Sequence, residues 1–279
     1  MVHELKHGLY ATVLDQHPQE HQPRVAFCHG LFGQGKNWTS VAKQLSDRYA
    51  VTLIDMPNHG RSDWTEELSF PELADQLGCY LADAGGEDPW AVVGHSMGGK
   101  IAMALALRHP ELVQRLCVVD IAPVDYRGKS EFDGYVAAMR SIDLDQLQSR
   151  VEADDQLRDG VPNPTVRSFL LQNLRRGDSD HPGWHWQMNL RLLGDQLDRL
   201  TDWPDPFPIG REGRDSYQGP TLWVAGADSD YIRPEYTPTM KRLFPQVRSV
   251  KIKGARHWVH SEQPDIFVQV LRRFLGQPR

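Results

Sequence analysis

The chain has 279 residues, of which 40% are hydrophobic and 24% charged, as in globular proteins and unlike disordered chains. Its 31 basic and 37 acidic residues give a net charge of −6 at pH 7, which argues against a nucleic-acid-binding protein. No apolar run reaches the roughly 18 residues of a membrane span, and the first residues lack the apolar segment of a signal peptide. Three cysteines cannot all pair and two lie in apolar runs, so we predict free thiols and a cytoplasmic location.

Short apolar runs alternate with helical patterns along the chain. The stretch from Glu4 to Leu14 predicts antiparallel edge strands. Six β-type runs follow, and the first five are almost continuously apolar, as in parallel strands covered on both faces. These runs lie at 25–28, 51–54, 91–93, 116–119, 221–224 and 250–252. Helical patterns lie at 38–48, 70–84, 97–108, 235–244 and 263–275. The alternation predicts an α/β fold with a mostly parallel, doubly wound sheet.

The alternation breaks between residues 126 and 212. This stretch is charged and helix-like, and proline-containing breaks interrupt it at 161–164, 181–183 and 203–208. An insertion of about 85 residues is too long for a plain loop. We therefore predict that 126–212 is a mainly helical cap, and that 1–125 and 213–279 together form the core. Within the cap, 184–190 is interpreted as an aromatic-rich helix whose face either lines an acyl pocket over the site or packs the cap on the core.

The strongest chemical signal is the sequence Gly94-His95-Ser96-Met97-Gly98, which matches the G-x-S-x-G nucleophile elbow. In this motif a serine lies on a sharp strand-to-helix turn, and the glycines let neighbouring backbones approach closely. The context agrees, because a predicted strand at 91–93 precedes the motif and a predicted helix at 100–108 follows it. We therefore predict that Ser96 is a catalytic nucleophile.

A nucleophilic serine needs a general base, and histidine is a common one. Among the twelve histidines, His257 is favoured because it follows the last predicted strand and comes last in the Ser-Asp-His chain order of this motif. His260 is interpreted as a surface or capping residue. His95 is interpreted as a structural residue that packs on the strand side of the turn.

The oxyanion that forms at a substrate carbonyl needs backbone N–H donors. One donor is predicted at Met97, directly after the nucleophile. The other is predicted in the loop 29–33, after the first core strand, where Leu31 is favoured over Phe32. The side chains of these two loop residues are expected to border the acyl pocket.

Five segments together resemble the α/β-hydrolase superfamily, and within it the YbfF-type bacterial esterases and their mitochondrial abhydrolase relatives. These segments are 29–33, 55–62, 94–100, 119–124 and 254–260. The resemblance covers the core and extends into the cap through 167–174. It implies an α/β-hydrolase fold with a helical cap inserted after the sixth strand, a Ser-His-Asp triad and esterase activity.

The acid of the triad stays open between two residues. Most of the superfamily has an aspartate three residues after the glycine that follows the seventh strand, and that position is Ser229 here, between Asp228 and Asp230. The YbfF-type esterases resemble this chain in having serine there, and they take an aspartate from the end of the sixth strand. This resemblance implies Asp120, and we keep Asp228 as the alternative acid.

Five further side chains receive predicted roles. Asp55 also ends a strand, and we expect it to fix the loop that follows. Lys100 is interpreted as half of a structural ion pair. The substrate pocket is predicted to include Phe32, Trp186 and Trp258. No CxxC or HExxH motif occurs, so the sequence predicts no metal site.

These residues predict a carboxylic-ester hydrolase that acts on short to medium acyl chains through an acyl-enzyme on Ser96. The predicted partner is a small acyl ester, with no nucleic acid and no cofactor, and the oligomeric state stays open. An acyl-CoA thioesterase or an alcohol acyltransferase needs the same residues and is the alternative. A ligand receptor built on a hydrolase fold is a remote third possibility.

Overall fold

The computed structural model describes residues 1–17, 22–86, 88–128, 131–177, 183–210 and 213–276. In this part of the chain the strands are β1 (Val2–Lys6), β2 (Leu9–Leu14), β3 (Arg24–Cys28), β4 (Ala50–Ile54), β5 (Trp90–His95), β6 (Val113–Val119), β7 (Leu174–Arg176), β8 (Trp184–Trp186), β9 (Thr221–Gly226) and β10 (Val247–Ile252). The α-helices are α1 (Thr39–Leu45), α2 (Phe70–Gly85), α3 (Met97–Arg108), α4 (Phe132–Arg140), α5 (Arg150–Leu157), α6 (Pro164–Leu171), α7 (Leu190–Asp195), α8 (Leu197–Thr201), α9 (Thr237–Leu243), α10 (Val259–Glu262) and α11 (Pro264–Leu275).

Eight of these strands form one sheet in the order β1-β2-β4-β3-β5-β6-β9-β10. The pairs β1–β2 and β2–β4 are antiparallel, and every other neighbouring pair in the sheet is parallel. The predicted mostly parallel sheet with antiparallel edge strands is therefore confirmed. Because β5, β6 and β9 are neighbours, the loops at their carboxyl ends lie side by side, which is where ligands bind in open α/β sheets.

Both faces of the sheet are covered by helices. Successive side chains of a strand point to opposite faces, so in β3 Ala26 and Cys28 pack in one layer with α2 and α3. Val25 and Phe27 pack in the other layer with α1 and α11. Two covered faces explain why the central strands are almost continuously apolar in the sequence.

The start of β10 differs from its prediction, because the strand begins at Val247 and not at Val250. Arg248 and Ser249 are exposed, so hydropathy does not mark them as strand residues. Their backbones nevertheless pair with Leu222 and Trp223 of β9. Backbone pairing at the sheet edge thus extends the strand beyond its apolar residues.

The chain between β6 and β9 contains α4 to α8 and the hairpin β7–β8, and we call it the inserted segment. The prediction of a helix at 184–190 was wrong, because Trp184–Trp186 is a strand and α7 begins only at Leu190. Residues 174–176 pair with it in antiparallel register, and its side chains alternate, with His185 exposed and Trp186 buried. Residues 181–182 and 211–212, near the predicted break and cap boundary, lie outside the described residues.

The structure also bears on the predictions about membrane spans, thiols and metals, within the described residues. Among them, no helix combines the length and the apolar character that crossing a membrane requires. Cys28, Cys79 and Cys117 are all free, the first and third buried and Cys79 exposed. No group of three or more histidine, cysteine or acidic side chains in the described ranges is placed to hold a metal ion.

The close approach of α3 to β3 depends on Gly98. A Cβ atom at this position would collide with the carbonyl oxygens of Cys28 and His29. These are backbone atoms of a buried strand end, so they have no free space into which to move. Gly134, in α4, offers a contrast, because a Cβ there meets nothing within 4 Å.

We predict that Gly98→Ala destabilises the protein by at least about 2 kcal/mol, since the added methyl group forces α3 away from β3. Gly134→Ala is the matched control and should be neutral or stabilise the helix by up to about 1 kcal/mol. Urea unfolding followed by circular dichroism measures both free energies. Equal stability of the two variants would contradict the close approach.

Candidate active site

Ser96 lies in the tight turn between β5 and α3, with φ at 51°. This left-handed backbone conformation is costly for a residue with a Cβ atom, so surrounding contacts must hold it. The Ser96 N–H donates to the carbonyl of Val119 on β6 at 3.1 Å, and the Lys100 N–H donates to the Ser96 carbonyl at 3.1 Å. The turn therefore fixes the hydroxyl at the carboxyl end of β5, as the G-x-S-x-G pattern predicts.

Three predicted side chains meet at this edge of the sheet. The Ser96 hydroxyl lies 3.0 Å from His257 Nε2. The other ring nitrogen, Nδ1, lies 2.9 Å from Oδ2 of Asp120 and donates its proton to that carboxylate. With Nδ1 protonated, Nε2 is free to accept the serine proton. The three side chains form one continuous hydrogen-bonded line, although they are far apart in the sequence.

Asp120 is fully buried, directly after β6, and its φ is 51°. Its Oδ1 accepts the N–H of Gly226 at 3.0 Å, and its Oδ2 also accepts the hydroxyl of Ser229 at 2.5 Å. These donors and His257 satisfy a carboxylate that has no contact with water. The hydroxyl of Ser229 thus supports Asp120 from the position at which most of the superfamily carries the acid.

The alternative acid, Asp228, is not placed beside the imidazole. Its side chain is exposed, and its backbone N–H donates to the carbonyl of Ala255 at 3.0 Å. The structure brings Asp120 to His257 and leaves Asp228 at the surface.

The plane of the His257 ring is fixed by neighbouring rings. Tyr231 stacks on it with ring centres 4.0 Å apart, and Trp258 packs edge-on at 5.6 Å. Nε2 of His95 donates to the His257 carbonyl at 2.8 Å, in agreement with the structural role predicted for His95. Burial, followed by the neighbouring His257, holds the pKa of His95 well below its usual value, so His95 stays neutral.

Two backbone N–H groups remain available for an oxyanion near Ser96. Met97 is the first residue of α3, so its N–H has no partner within the helix. The N–H of Leu31 has no hydrogen-bond partner among the described residues. The N–H of Phe32, the other loop residue weighed, donates to Nε2 of His59 at 3.1 Å. The structure therefore favours Leu31 over Phe32.

His29 and His59 hold the loop that carries Leu31. His29 accepts the N–H of Met56 with Nε2 at 2.9 Å and donates to the Gly30 carbonyl with Nδ1 at 2.8 Å. His59 donates with Nδ1 to the Pro57 carbonyl at 2.9 Å. Both rings must be neutral to accept with Nε2, and burial lowers the pKa of His29 to about 4 and that of His59 to about 3. Both residues lie in segments that resemble the α/β hydrolases, but no pattern in the sequence predicts that they support the loop.

Asp55 fixes the neighbouring loop as expected. Its Oδ1 accepts the N–H of Gly35 at 2.6 Å, and its Oδ2 accepts the N–H of Arg61 at 2.9 Å. The carboxylate therefore connects the end of β4 with two loops and takes no part in the hydrogen-bonded line at Ser96.

Two small cavities flank Ser96, of about 20 and 30 Å³. Trp258 lines the first, as predicted, together with Phe169 and the imidazole of His257. The second extends past Met97 towards apolar side chains of the inserted segment and neighbouring loops: Ile121, Tyr126, Phe132 and Leu200. Each has room for one or two water molecules.

Phe32 and Trp186 line neither cavity, unlike the prediction. Phe32 is fully buried and packs edge-on against Phe132, with ring centres 5.9 Å apart. Trp186 is buried in β8, where the hairpin pairing directs it into the core of the inserted segment. Both rings pack in the apolar core and border no space at the serine.

Two other interpretations need correction. Lys100 makes no ion pair with any described carboxylate, because its ammonium group donates to the carbonyls of Val124, Thr201 and Asp202 at 2.7 to 3.0 Å. Burial lowers the pKa of Lys100 to about 7. His260 is buried rather than on the surface, and its ring stacks on Trp38 at 4.0 Å. Partners that are distant in sequence account for both: backbone carbonyls for Lys100 and the Trp38 ring for His260.

We predict that the free energy of unfolding falls as the pH is lowered below about 6.5, the ordinary histidine value. Burial lowers the pKa of His29 to about 4 and the pKa values of His59 and His260 to about 3, so the unfolded chain binds these protons first. The contribution of these rings to the free energy of unfolding is complete above pH 6.5. It is lost as the pH falls towards 4 for His29 and towards 3 for His59 and His260, with a slope of up to about 1.4 kcal/mol per pH unit for each ring. Urea unfolding between pH 7.5 and 5 measures this slope.

His260→Phe is the matched variant, because phenylalanine keeps the stack on Trp38 and removes one titrating ring. The pH slope of its unfolding free energy should be shallower by up to about 1.4 kcal/mol per pH unit. An unchanged slope would show that His260 titrates normally in the folded chain.

Comparison with known proteins agrees with this geometry. Residues 23–264 match the family model of the alpha/beta hydrolase fold. The sn-1-specific diacylglycerol lipase ABHD11 of Mus musculus is 37% identical over 91% of this chain and 81% of its own length, and the esterase YbfF of Escherichia coli K12 is 32% identical over 92% and 95%. A solved structure of a marine microorganism esterase superposes with a TM-score of 0.87 at 33% identity and covers 95% of this chain and 98% of its own. The chain therefore belongs to the α/β-hydrolase fold family, as its resemblance to the YbfF-type esterases indicated.

Proposed function

We propose that this protein is a serine esterase in which Ser96 is the nucleophile, His257 the general base and Asp120 the acid that orients the imidazole. The observation that carries the proposal is the line of hydrogen bonds from the Ser96 hydroxyl through His257 to Asp120, at 3.0 and 2.9 Å. Such a line on a strand-to-helix turn is the arrangement that activates a serine hydroxyl. The similar proteins named esterase and lipase support cleavage of an ester.

In the proposed acylation step, Ser96 Oγ attacks the carbonyl carbon of the ester while Nε2 of His257 takes the hydroxyl proton. The negative charge on the carbonyl oxygen is stabilised by the N–H groups of Leu31 and Met97. The C–O bond to the alcohol then breaks, and His257 gives its proton to the leaving oxygen. Asp120 stays ionised throughout and stabilises the imidazolium.

Deacylation repeats these steps with water as the nucleophile. His257 takes a proton from the water as its oxygen attacks the acyl carbon, and the same two N–H groups stabilise the second oxyanion. Collapse of this intermediate breaks the bond to Ser96 Oγ, which recovers its proton from His257. The products are a carboxylic acid and an alcohol, and the reaction as a whole consumes one water.

The inserted segment supports an acyl site with limited depth. We infer that residues 126–212 are the cap, because their side chains Phe132 and Leu200 close the cavity that begins at Ser96 and Met97. Most of the other lining side chains are apolar or aromatic, with Lys100 and Thr201 as the polar ones, and such a lining favours an acyl chain over a polar group. The volume of about 30 Å³ favours short acyl groups, and medium chains require the cap to move outwards.

We predict that Ser96→Ala lowers kcat for p-nitrophenyl butyrate by about 10⁴-fold or more, because the nucleophile is removed while the turn remains. Ser46→Ala is the control, because Ser46 is a buried serine directly after α1. This variant should keep kcat within about twofold of the parent. A fluorophosphonate probe followed by peptide mass spectrometry should label Ser96. Labelling of another serine in an active preparation would exclude this assignment.

The assignment of the acid leads to a separate prediction. Asp120→Asn should lower kcat by up to about 10⁴-fold, because the amide N–H faces Nδ1 and favours the tautomer in which Nε2 is protonated. Asp228→Asn removes an exposed carboxylate two residues after Gly226 and should change kcat by less than about tenfold. Circular dichroism and a thermal melt verify that both variants are folded. If Asp228→Asn lowered kcat severely and Asp120→Asn lowered it only mildly, Asp228 would be the acid that orients His257.

A further inference from the structure

A separate cleft, of about 200 Å³, is lined in part by Gln34 and Lys36, which follow the loop that carries Leu31. It shares no lining residue with the two cavities at Ser96. Its walls come from the β1–β2 hairpin, the segment after the oxyanion loop and the hairpin β7–β8. Three cationic side chains line it, and we call it the cationic cleft: Lys36, Arg61 and Arg175.

The three cations have no acidic partner among the described residues. The guanidinium of Arg61 donates to the Tyr10 hydroxyl at 2.8 Å and lies over the Tyr10 ring. Nε of Arg175 donates to the side-chain oxygen of Gln187 at 3.0 Å. The ammonium group of Lys36 makes no hydrogen bond or ion pair with any described residue. Many arginines elsewhere do pair with carboxylates, among them Arg108, Arg140 and Arg242.

One carboxylate, Asp55, lines the cleft, but its oxygens are already engaged. Oδ1 accepts the N–H of Gly35 and Oδ2 accepts the N–H of Arg61, so backbone groups hold both. Asp55 attracts Lys36 through space without a hydrogen bond. One fixed negative charge therefore faces three positive ones.

The cations repel one another in the free protein. Partial burial, followed by the charge of Arg175, lowers the pKa of Lys36, and Arg61 and Arg150 act in the same direction. The pKa of Arg175 is also lowered by burial and then by Arg150 and Arg61. Although the chain has a net charge of −6, no carboxylate of the described ranges forms an ion pair with any of the three cations. An anion in the cleft would remove the repulsion.

We propose that the cationic cleft binds a phosphate group, either as the free ion or as the phosphomonoester end of a small molecule. The two guanidinium groups offer planar donor pairs that match phosphate oxygens, and the ammonium adds a point charge. Side-chain amides of Gln34 and Gln187 line the same space and supply neutral donors. The proposal is independent of the acyl chemistry at Ser96.

The site also bridges the two parts of the molecule. Lys36 and Arg61 belong to the core, whereas Arg175 is on β7 of the inserted segment. A bound phosphate would therefore connect core and inserted segment beside the bond in which Gln34 donates to Asn173 at 2.5 Å. We expect phosphate to raise the melting temperature of the whole chain, since only the folded state assembles the three cations.

The test is isothermal titration calorimetry of the full chain at pH 7.5 and constant ionic strength. One arm uses inorganic phosphate and the other glycerol 3-phosphate, so that binding in the first arm alone identifies the free ion and binding in the second identifies a phosphomonoester. Lys36→Gln/Arg175→Gln should weaken the affinity by about tenfold or more. Lys43→Gln/Lys241→Gln removes the same charge from two exposed positions and should keep the affinity within about twofold.

Thermal melts give a second measurement of phosphate binding and show whether each variant is folded. Without phosphate, Lys36→Gln alone should melt at the parent temperature or higher, because it removes repulsion and breaks no hydrogen bond. With phosphate, its melting temperature should rise less than that of the parent. Absence of binding in both arms, or equal binding by the cleft variant and its control, would overturn the proposal.

Discussion

The arrangement at Ser96 depends on one constraint, which is that the buried carboxylate of Asp120 must have all its acceptor sites satisfied. A carboxylate without access to water is strongly destabilising unless hydrogen bonds replace its hydration. Here the replacement comes from the N–H of Gly226, the hydroxyl of Ser229 and Nδ1 of His257. Two of these donors lie at the end of β9 and the third follows β10, whereas Asp120 itself follows β6. The single charged group therefore fixes the relative positions of the loops after β6, β9 and β10.

On the other side of Ser96, the loop that carries Leu31 is held by uncharged side chains. His29 and His59 are neutral rings that accept backbone N–H groups with Nε2, and each donates its one ring N–H, at Nδ1, to a carbonyl. Their interactions shape the loop around Leu31, whose N–H has no hydrogen-bond partner within the described part of the chain. Neutral supports suit the proposed oxyanion site, because a positive ring beside it would bind anions in the resting protein and block the site.

Sequence patterns predict well the turns and helices that depend on residues close together in the chain. The turn at Ser96 and the helix after it depend on glycine spacing and apolar periodicity, which are visible in the chain. The choice between Asp120 and Asp228 depends on which strand ends are neighbours, and only the family resemblance pointed to it. The aromatic run at Trp184 was misjudged because its pairing partner, β7, determines its strand conformation. The carbonyl partners of Lys100 are likewise distant in sequence and carry no residue-type signal.

Those carbonyl partners of Lys100 bear on how the segment over the site can move. Val124 lies in the first part of the inserted segment, just after β6, and Thr201 and Asp202 lie at the end of its last helix, α8, so one ammonium group fastens both parts to α3. Lifting the segment as a rigid lid would separate these carbonyls and leave a buried cation with unpaired donors. The segment is also tied to the core beside β7, because the side-chain amide of buried Asn173 donates to the Phe32 carbonyl and accepts from Gln34. The inserted segment is therefore fastened to the core on two sides, so its outward movement breaks buried hydrogen bonds on at least one of them.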